Sequence, residues 1–474
     1  LLLLACFGGM GGANTNEQSA GNNDTGGIDL GGDDWSGGHY VEEPDGSTTW
    51  VPDFGDLAID PAGQYLLTRI GEVLVYGDLS TGALSIIEGV SNPERLAFSN
   101  ASQRFFVVSG TSVTAVDGVS QKVLWKHPLG FVSWRDTFLY ASPDGKRLAV
   151  VNDTRLFLLE ETNGELVRTH DLGEIVDVDF APDGARLYVV LEHTWAVRTP
   201  GELSTPVTRV QVLATSDGRV QTGLDIPNCS SLLAQTPDGH RGFLAPTTCE
   251  RPATAEQPPT SHDPVSVIDL RELRFERNLP GFGPVDVATD GGTAVAFMDT
   301  WNLDVALFDD PAQIPSTLEG RYRLMLIDTS TLELDSIGLG DNLPRYALTP
   351  DGQVVLVDVD WMYSFEGVPV RVLDVATRSL DTVRGPEVQL DHFAIHPNSQ
   401  DLYLLQYGDL YHLSIPDRRV ERLETGRYLE SLNITPTGEH LLLLDEHGRL
   451  AIYDVATQTV EREMEAEVEA ALAP

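Results

Sequence analysis

Apolar residues along the chain fall into short runs separated by polar turns, and one arrangement returns throughout. An apolar segment, a tight turn and a second apolar segment occur as LAIDPAGQYLL, LAFSNASQRFFVV, LYASPDGKRLAVV, VDFAPDGARLYVV, LAQTPDGHRGFL, VATDGGTAVAF, ALTPDGQVVLV, AIHPNSQDLYLL and NITPTGEHLLLL, nine units in all. Their turns, at Pro61, Asn100, Pro143, Pro182, Pro237, Asp290, Pro350, Pro397 and Pro436, are 39, 43, 39, 55, 53, 60, 47 and 39 residues apart. Proline fixes φ and Asp-Gly supplies the left-handed position a hairpin turn needs. A second hairpin follows in VYGDLSTGALSII, FLLEETNGELVRT, VQVLATSDGRVQT, MLIDTSTLELDSI, VRVLDVATRSLDTV and AIYDVATQTVERE. Two hairpins make four antiparallel strands, and four strands in about 40 residues, repeated, are the signature of β-propeller blades. The predicted fold is all-β: a single propeller of four-stranded antiparallel blades over residues 51–474, with nine repeat units and eight or nine blades. The lower number applies if the divergent unit around Asp290 is displaced from the ring. The preceding HYVEEPDGSTTW predicts another hairpin or a strand that closes the ring.

The turn Ser142-Pro143-Asp144-Gly145-Lys146-Arg147-Leu148 and the second turns quoted above resemble those of YVTN-like and TolB-like bacterial propellers. The resemblance covers residues 51–474 and implies the fold. It does not choose an activity, because such propellers include binders, scaffolds and a few enzymes.

In a blade whose first strand, a, runs down the channel, the a–b and c–d turns share one face and the b–c and d–a connections the other. Gly63 to Gly82 and Gly145 to Gly164 are each 19 residues, whereas Gly184 to Gly218 is 34. The excess lies between strands b and c, and units five, six and seven are enlarged there too, through PTTCERPATAEQPPTSHDP, MDTWNLDVALFDDPAQIPSTLEGRYR and DVDWMYSFEGVPV. Insertions that accumulate on one face mark a binding surface. These loops open on Glu192 and Trp195, on Asp299 and Trp301, and on Asp358, Asp360, Trp361 and Tyr363. An acid beside a Trp offers a hydrogen-bond acceptor beside a flat apolar face, suited to sugars, aromatic groups or cationic side chains. The competing reading is that the Trp side chains pack the loops against each other. Asp299, Asp304, Asp309, Asp310, Asp358 and Asp360 offer the oxygen ligands Ca²⁺ prefers, but no EF-hand spacing is present.

A second candidate surface is the channel mouth. Five residues before each turn stand Asp56, Arg95, Phe138, Asp177, Leu232, Val285, Arg345, His392 and Ser431. The Arg and Asp residues among them either clasp an anion through Arg forks or pair with each other and fill the channel. Cys229 and Cys249 lie symmetrically about Gly239. Opposed across an antiparallel hairpin they have the separation a disulfide needs, and closing that loop contributes about 3 kcal/mol. No Cys or His spacing completes a tetrahedral metal site, and His392 and His396 are too far apart along one strand for a shared ion. The sequence has no G-x-S-x-G, H-E-x-x-H, S-x-x-K or Walker motif, and GGMGG lies outside the repeats. No catalytic residues, metal or cofactor are therefore predicted, and the reading leans away from an enzyme. The resemblance keeps a lactonase-like hydrolase open as the alternative, acting at the mouth through Asp177, His392 and Arg345, alongside a TolB-like assembly scaffold.

Composition narrows the partners. With 31 Lys+Arg against 72 Asp+Glu and a net charge of −41, the chain repels phosphate backbones, so nucleic acid is excluded. The run Leu3-Leu4-Ala5-Cys6 resembles the lipobox of bacterial lipoproteins, which implies residues 1–6 as a signal remnant, acylation of Cys6 and, with Phe7 next, an outer-membrane address. Residues 7–50 then read as a Gly/Asn/Asp-rich tether with little to bury. The expected protein is a monomeric, lipid-anchored, non-catalytic propeller that binds an envelope protein or glycan and touches the membrane only through its anchor. EREMEAEVEAALAP at the C-terminus suggests a last strand and an acidic tail without assigned function.

Overall fold

A computed structural model describes residues 39–42, 48–51 and 54–464, apart from 61, 71–72, 100, 131–136, 153, 197–204, 247–263, 289, 300–320, 341–343, 353, 359–369, 376, 384–391, 407 and 446–448. The strands from Phe54 to Met464 form nine four-stranded antiparallel sheets among the described residues, each built from consecutive strands a to d. His39–Glu42 and Thr48–Val51 pair as a separate two-stranded hairpin and join no blade, so this segment is the predicted hairpin and not a closing strand.

Alternation along the central strands explains why the sheets stack. In blade 2, strand b (Arg104–Ser109) turns Phe105 and Val107 toward blade 1, and Phe106 and Val108 toward blade 3. Both faces are apolar because both are covered, as a stacked sheet requires. Strand d of blade 3 (Leu166–Asp171) is the outer edge and is mostly exposed.

The same layering gives nine buried clusters, one at every seam. The cluster of Leu66, Leu79, Leu442, Leu450 and Ile452 joins blade 9 to blade 1 and closes the ring. Among the described residues closure is by face packing, with no strand exchanged between the ends, and Arg462 Nη1 adds a bond of 2.5 Å to the Ser80 carbonyl across that seam. The unit around Asp290 is a regular blade: its strands pack on blade 5 through Val285, Ala294 and Met298 and on blade 7 through Val295, Phe297 and Leu324. Among the described residues the ring therefore has nine blades, the higher of the two expected numbers, and the alternative of a displaced sixth unit does not apply.

The turns behave as their chemistry dictates. Gly164 has φ +71°, and a Cβ there would meet the Trp125 ring of blade 2 at 2.5 Å, so both conformation and contact require glycine. The residue that opens strand b carries a device the sequence did not suggest. Arg104, Arg147, Arg186 and Arg241 open strand b in blades 2 to 5, and each guanidinium bonds a carbonyl in the c–d turn of the next blade. The acceptors are Glu161 at 3.0 Å, Thr215 at 2.6 Å, Leu270 at 2.7 Å and Thr329.

Candidate binding face and channel mouth

The first strands of neighbouring blades meet around the axis, so all b–c connections emerge at one end of the ring. In blades 1, 2, 3 and 8 strand c begins after 2 connecting residues, and in blade 9 after 4. In blades 4 to 7 the connections are 8, 18, 22 and 11 residues long, at 197–204, 247–264, 300–321 and 359–369. In blade 4 the flanking strands, Arg186–Ala196 and Thr205–Ala214, are also lengthened. Past a bulge after Leu191 they continue through Thr194 opposite Val207 and Trp195 opposite Pro206, so the excursion rises as a β-ribbon.

The predicted loop residues are placed unequally. Glu192 is exposed at the base of this ribbon, and Trp195 stands on it. Asp299, expected as an exposed acceptor, is only 3 % exposed. Its carboxylate accepts from Arg321 Nε and Nη2 at 3.2 and 3.0 Å, and the Arg321 guanidinium covers the Tyr322 ring at 4.7 Å. Asp299 thus clamps the two ends of the blade-6 excursion, because it closes strand b directly opposite Tyr322. Asp358 ends strand b of blade 7 opposite Pro344. Trp301, Asp304, Asp309, Asp310, Asp360, Trp361 and Tyr363 lie outside the described residues. On the same end of the ring, Ser91, Asn92, Ser109, Thr111, Ser112 and Lys126 line an open polar depression of about 460 Å³ between blades 1 and 2.

Of the channel-mouth candidates, Asp56, Arg345, His392 and Ser431 lie on first strands. Arg95 donates from Nε to the Thr137 carbonyl at 3.0 Å, which ties blade 2 to blade 3. Phe138 stacks on Tyr140, with ring centroids 6.5 Å apart, and Leu232 is exposed. Val285 instead faces the core between blades 5 and 6. The sixth turn closes from Gly291 N to Ala288 O, as the fourth closes from Gly184 N to Ala181 O. The sixth turn therefore starts one residue earlier than its placement at Asp290 assumed, and the first-strand acid that sequence reasoning missed is Asp286, which in that frame stands where Asp179 stands in blade 4. The Asp286 carboxyl is bonded to the Tyr346 hydroxyl of blade 7, and burial pushes both groups up from their ordinary pKa ranges.

The main electrostatic feature is Asp177 with Asp179, two residues apart on strand a of blade 4 (Ile175–Phe180) and hence on one face. Asp177 accepts from the Val178 and Leu233 amides, each at 2.8 Å, and is bonded to the Tyr140 hydroxyl. It joins blades 3, 4 and 5, where the sequence suggested an Arg–Asp network. Gln235 Nε2 donates to Asp179. Burial outweighs these bonds and lifts Asp177 to about 6, while burial and then the Asp177 charge lift Asp179 to about 7. The pair takes up and releases protons near neutrality. The carboxylate separation and the alternation of Asp with apolar residues in VDVDF were the signal available for Asp179.

Cys229 is buried and disulfide-bonded. The expected symmetry about Gly239 is not the register: Leu232 pairs with Ala245, one short of the symmetric Pro246, and a bulge at Ser231 widens the offset to two, placing Ser230 opposite Pro246 instead of residue 248. Cys6 and Cys249 both lie outside the described residues, as do residues 7–38 of the predicted tether. Among the described residues no helix is long and apolar enough to cross a membrane.

No protein-family model matches the chain, and no curated protein matches it. Many solved structures do. A eukaryotic initiation factor structure is 11 % identical and aligns with a TM-score of 0.55 over 82 % of this chain and 93 % of its own. The C-terminal WD40 domain of Sif2 is 12 % identical, with a TM-score of 0.43 over 85 % and 95 %. Hydrazine synthase of Kuenenia stuttgartiensis is 15 % identical, with a TM-score of 0.40 over 86 % and 96 %. At these identities the likeness is one of fold alone.

Proposed function

We propose that the chain is a non-catalytic binding module that engages an envelope protein or glycan through the b–c face over blades 4 to 7. In this reading acylated Cys6 holds it to the outer membrane, and Cys229 is bonded to Cys249 beneath the blade-5 excursion. The supporting observation is the asymmetry of that face: four consecutive long connections on a ring whose other b–c turns are minimal. A rigid scaffold that raises adjacent loops is the usual design of a recognition surface. The exposed Glu192 and the polar depression by Lys126 supply acceptors and hydroxyl groups on the same end, where the blade-4 ribbon carries Trp195. Asp177, with both carboxylate oxygens engaged by backbone amides, is a clasp and a poor general base, which disfavours the hydrolase alternative.

Changing Trp195, Trp301 and Trp361 together to Ala is expected to abolish capture of the partner from envelope extracts without lowering the melting midpoint. A non-reducing peptide map of the same sample is expected to carry a Cys229–Cys249 peptide. Retained capture contradicts the binding face, and collapse of the fold instead supports the packing role of the three Trp residues.

A further inference from the structure

Blade 9 brings three ligating side chains together away from the binding face. His440 opens strand b (His440–Asp445) and pairs directly with Asp454 at the end of strand c (Leu450–Asp454). Glu461 is the extra residue of a bulge in strand d (Thr459–Met464), between Val460 and Arg462, which pair with Tyr453 and Ile452. A bulge re-aims the side chain it carries. Ligand atoms of His440, Asp454 and Glu461 all lie within 4.8 Å of one another, with His440 Nε2 at 3.5 Å from Glu461 Oε2.

The repeat provides its own comparison. Blade 5 has the same frame, with Arg241 opposite Asp269 and Glu276 as the bulge residue. There the cations are built in: Arg241 Nε lies 3.0 Å from Glu276, and Arg274 and His240 lie 3.5 and 3.7 Å from Asp269. In blade 9 the three equivalent positions are His440, Thr459 and Glu439. The two carboxylates are kept while both guanidinium groups are lost. Arg462 approaches Glu461 at 3.6 Å, but its Nη1 is engaged with the Ser80 carbonyl of blade 1. His440 Nδ1 is buried without a hydrogen-bond partner, so no protein group fixes which imidazole nitrogen carries the proton, and Nε2, which faces Glu461, is open to ligation.

We propose that His440, Asp454 and Glu461 form a divalent transition-metal site of the zinc class at the seam where blade 9 meets blade 1. One imidazole nitrogen with two carboxylates suits Zn²⁺ and leaves a fourth position for water, whereas Ca²⁺ and Mg²⁺ take oxygen ligands only. The net charge of −41 raises the local cation concentration. A metal that fixes Glu461 also fixes strand d beside Arg462, and so tightens the closing seam.

The test uses the full chain, stripped of metal and titrated with Zn²⁺ by calorimetry, with the melting midpoint followed in parallel. One equivalent is expected to bind and raise the midpoint, and Co²⁺ in its place is expected to give the visible absorption of an imidazole–carboxylate site. His440→Gln and Glu461→Gln should each weaken binding about tenfold or more and remove the midpoint rise, with metal-free midpoints unchanged. If a variant lowers the metal-free midpoint, the Co²⁺ spectrum of the wild-type chain decides: its absence overturns the site. Unchanged Zn²⁺ affinity in both variants, or an equal midpoint rise with Ca²⁺, also overturns it.

Discussion

Asp177 and Asp179 show how a stacked ring turns ordinary side chains into unusual ones. Each sits on a first strand, where the next blade removes water from one side, and their two-residue spacing sets like charges on the same face. The folded pair therefore holds protons that unfolded carboxyls release at ordinary acidic pH. Because the folded pKa values are raised, to about 6 and about 7, the stability they contribute is fully present below the unfolded range and is lost as pH rises through those values. Self-repulsion of the acidic chain acts in the same direction, so the informative quantity is a difference. Urea midpoints of the wild-type chain are expected to fall from pH 4 to pH 8, and Asp179→Asn is expected to show a smaller fall. An equal or steeper fall in the variant contradicts the assignment.

The element that organises the blades is the start of strand b, where a turn hands the chain to a central strand and an Arg reaches sideways to the next sheet. Arg186 is representative: Nη1 bonds the Leu270 carbonyl at 2.7 Å and the guanidinium covers the Tyr188 ring at 5.6 Å. Charge-assisted bonds of this kind contribute roughly 1.5–3 kcal/mol, and losing one also strands its acceptor. Arg186→Ala is accordingly expected to lower the urea midpoint clearly. Arg219→Ala, which removes an exposed pair with Asp217, should leave it within error, since such pairs contribute about 0–1 kcal/mol. Equal effects of the two changes refute the staple. Hairpins were legible in the sequence because turn chemistry is local, and Pro-Asp-Gly needs no distant partner. The staples were not, because their acceptors lie 57 to 88 residues downstream. Two misreadings also have local causes. The sixth turn starts one residue earlier than Asp290 suggested, which reversed the face read along its first strand and hid Asp286. A hairpin register offset by one, and then the bulge at Ser231, break the symmetry on which the Cys229 geometry rested.

At the scale of the whole molecule, the described residues hold the ring by nine equivalent seams and no exchanged strand, so its ends are joined by the same forces as its middle. That closure puts the long b–c connections of blades 4 to 7 on one rim and leaves the remaining rim nearly bare. A closed ring was expected from the repeat, but the manner of its closure was not legible, because nothing local marks how blade 1 meets blade 9. Yet the count of nine units was visible in the turns, and the loop lengths gave away the rim. Native-state hydrogen exchange of the full chain tests closure most directly, because protection reports local opening. Buried amides of Leu66–Thr68 in blade 1 and Leu441–Leu443 in blade 9 are expected to exchange as slowly as those of Phe243–Ala245 in blade 5. Rapid exchange confined to the two terminal blades, with blades 3 to 7 still protected, would show that the closing seam does not form.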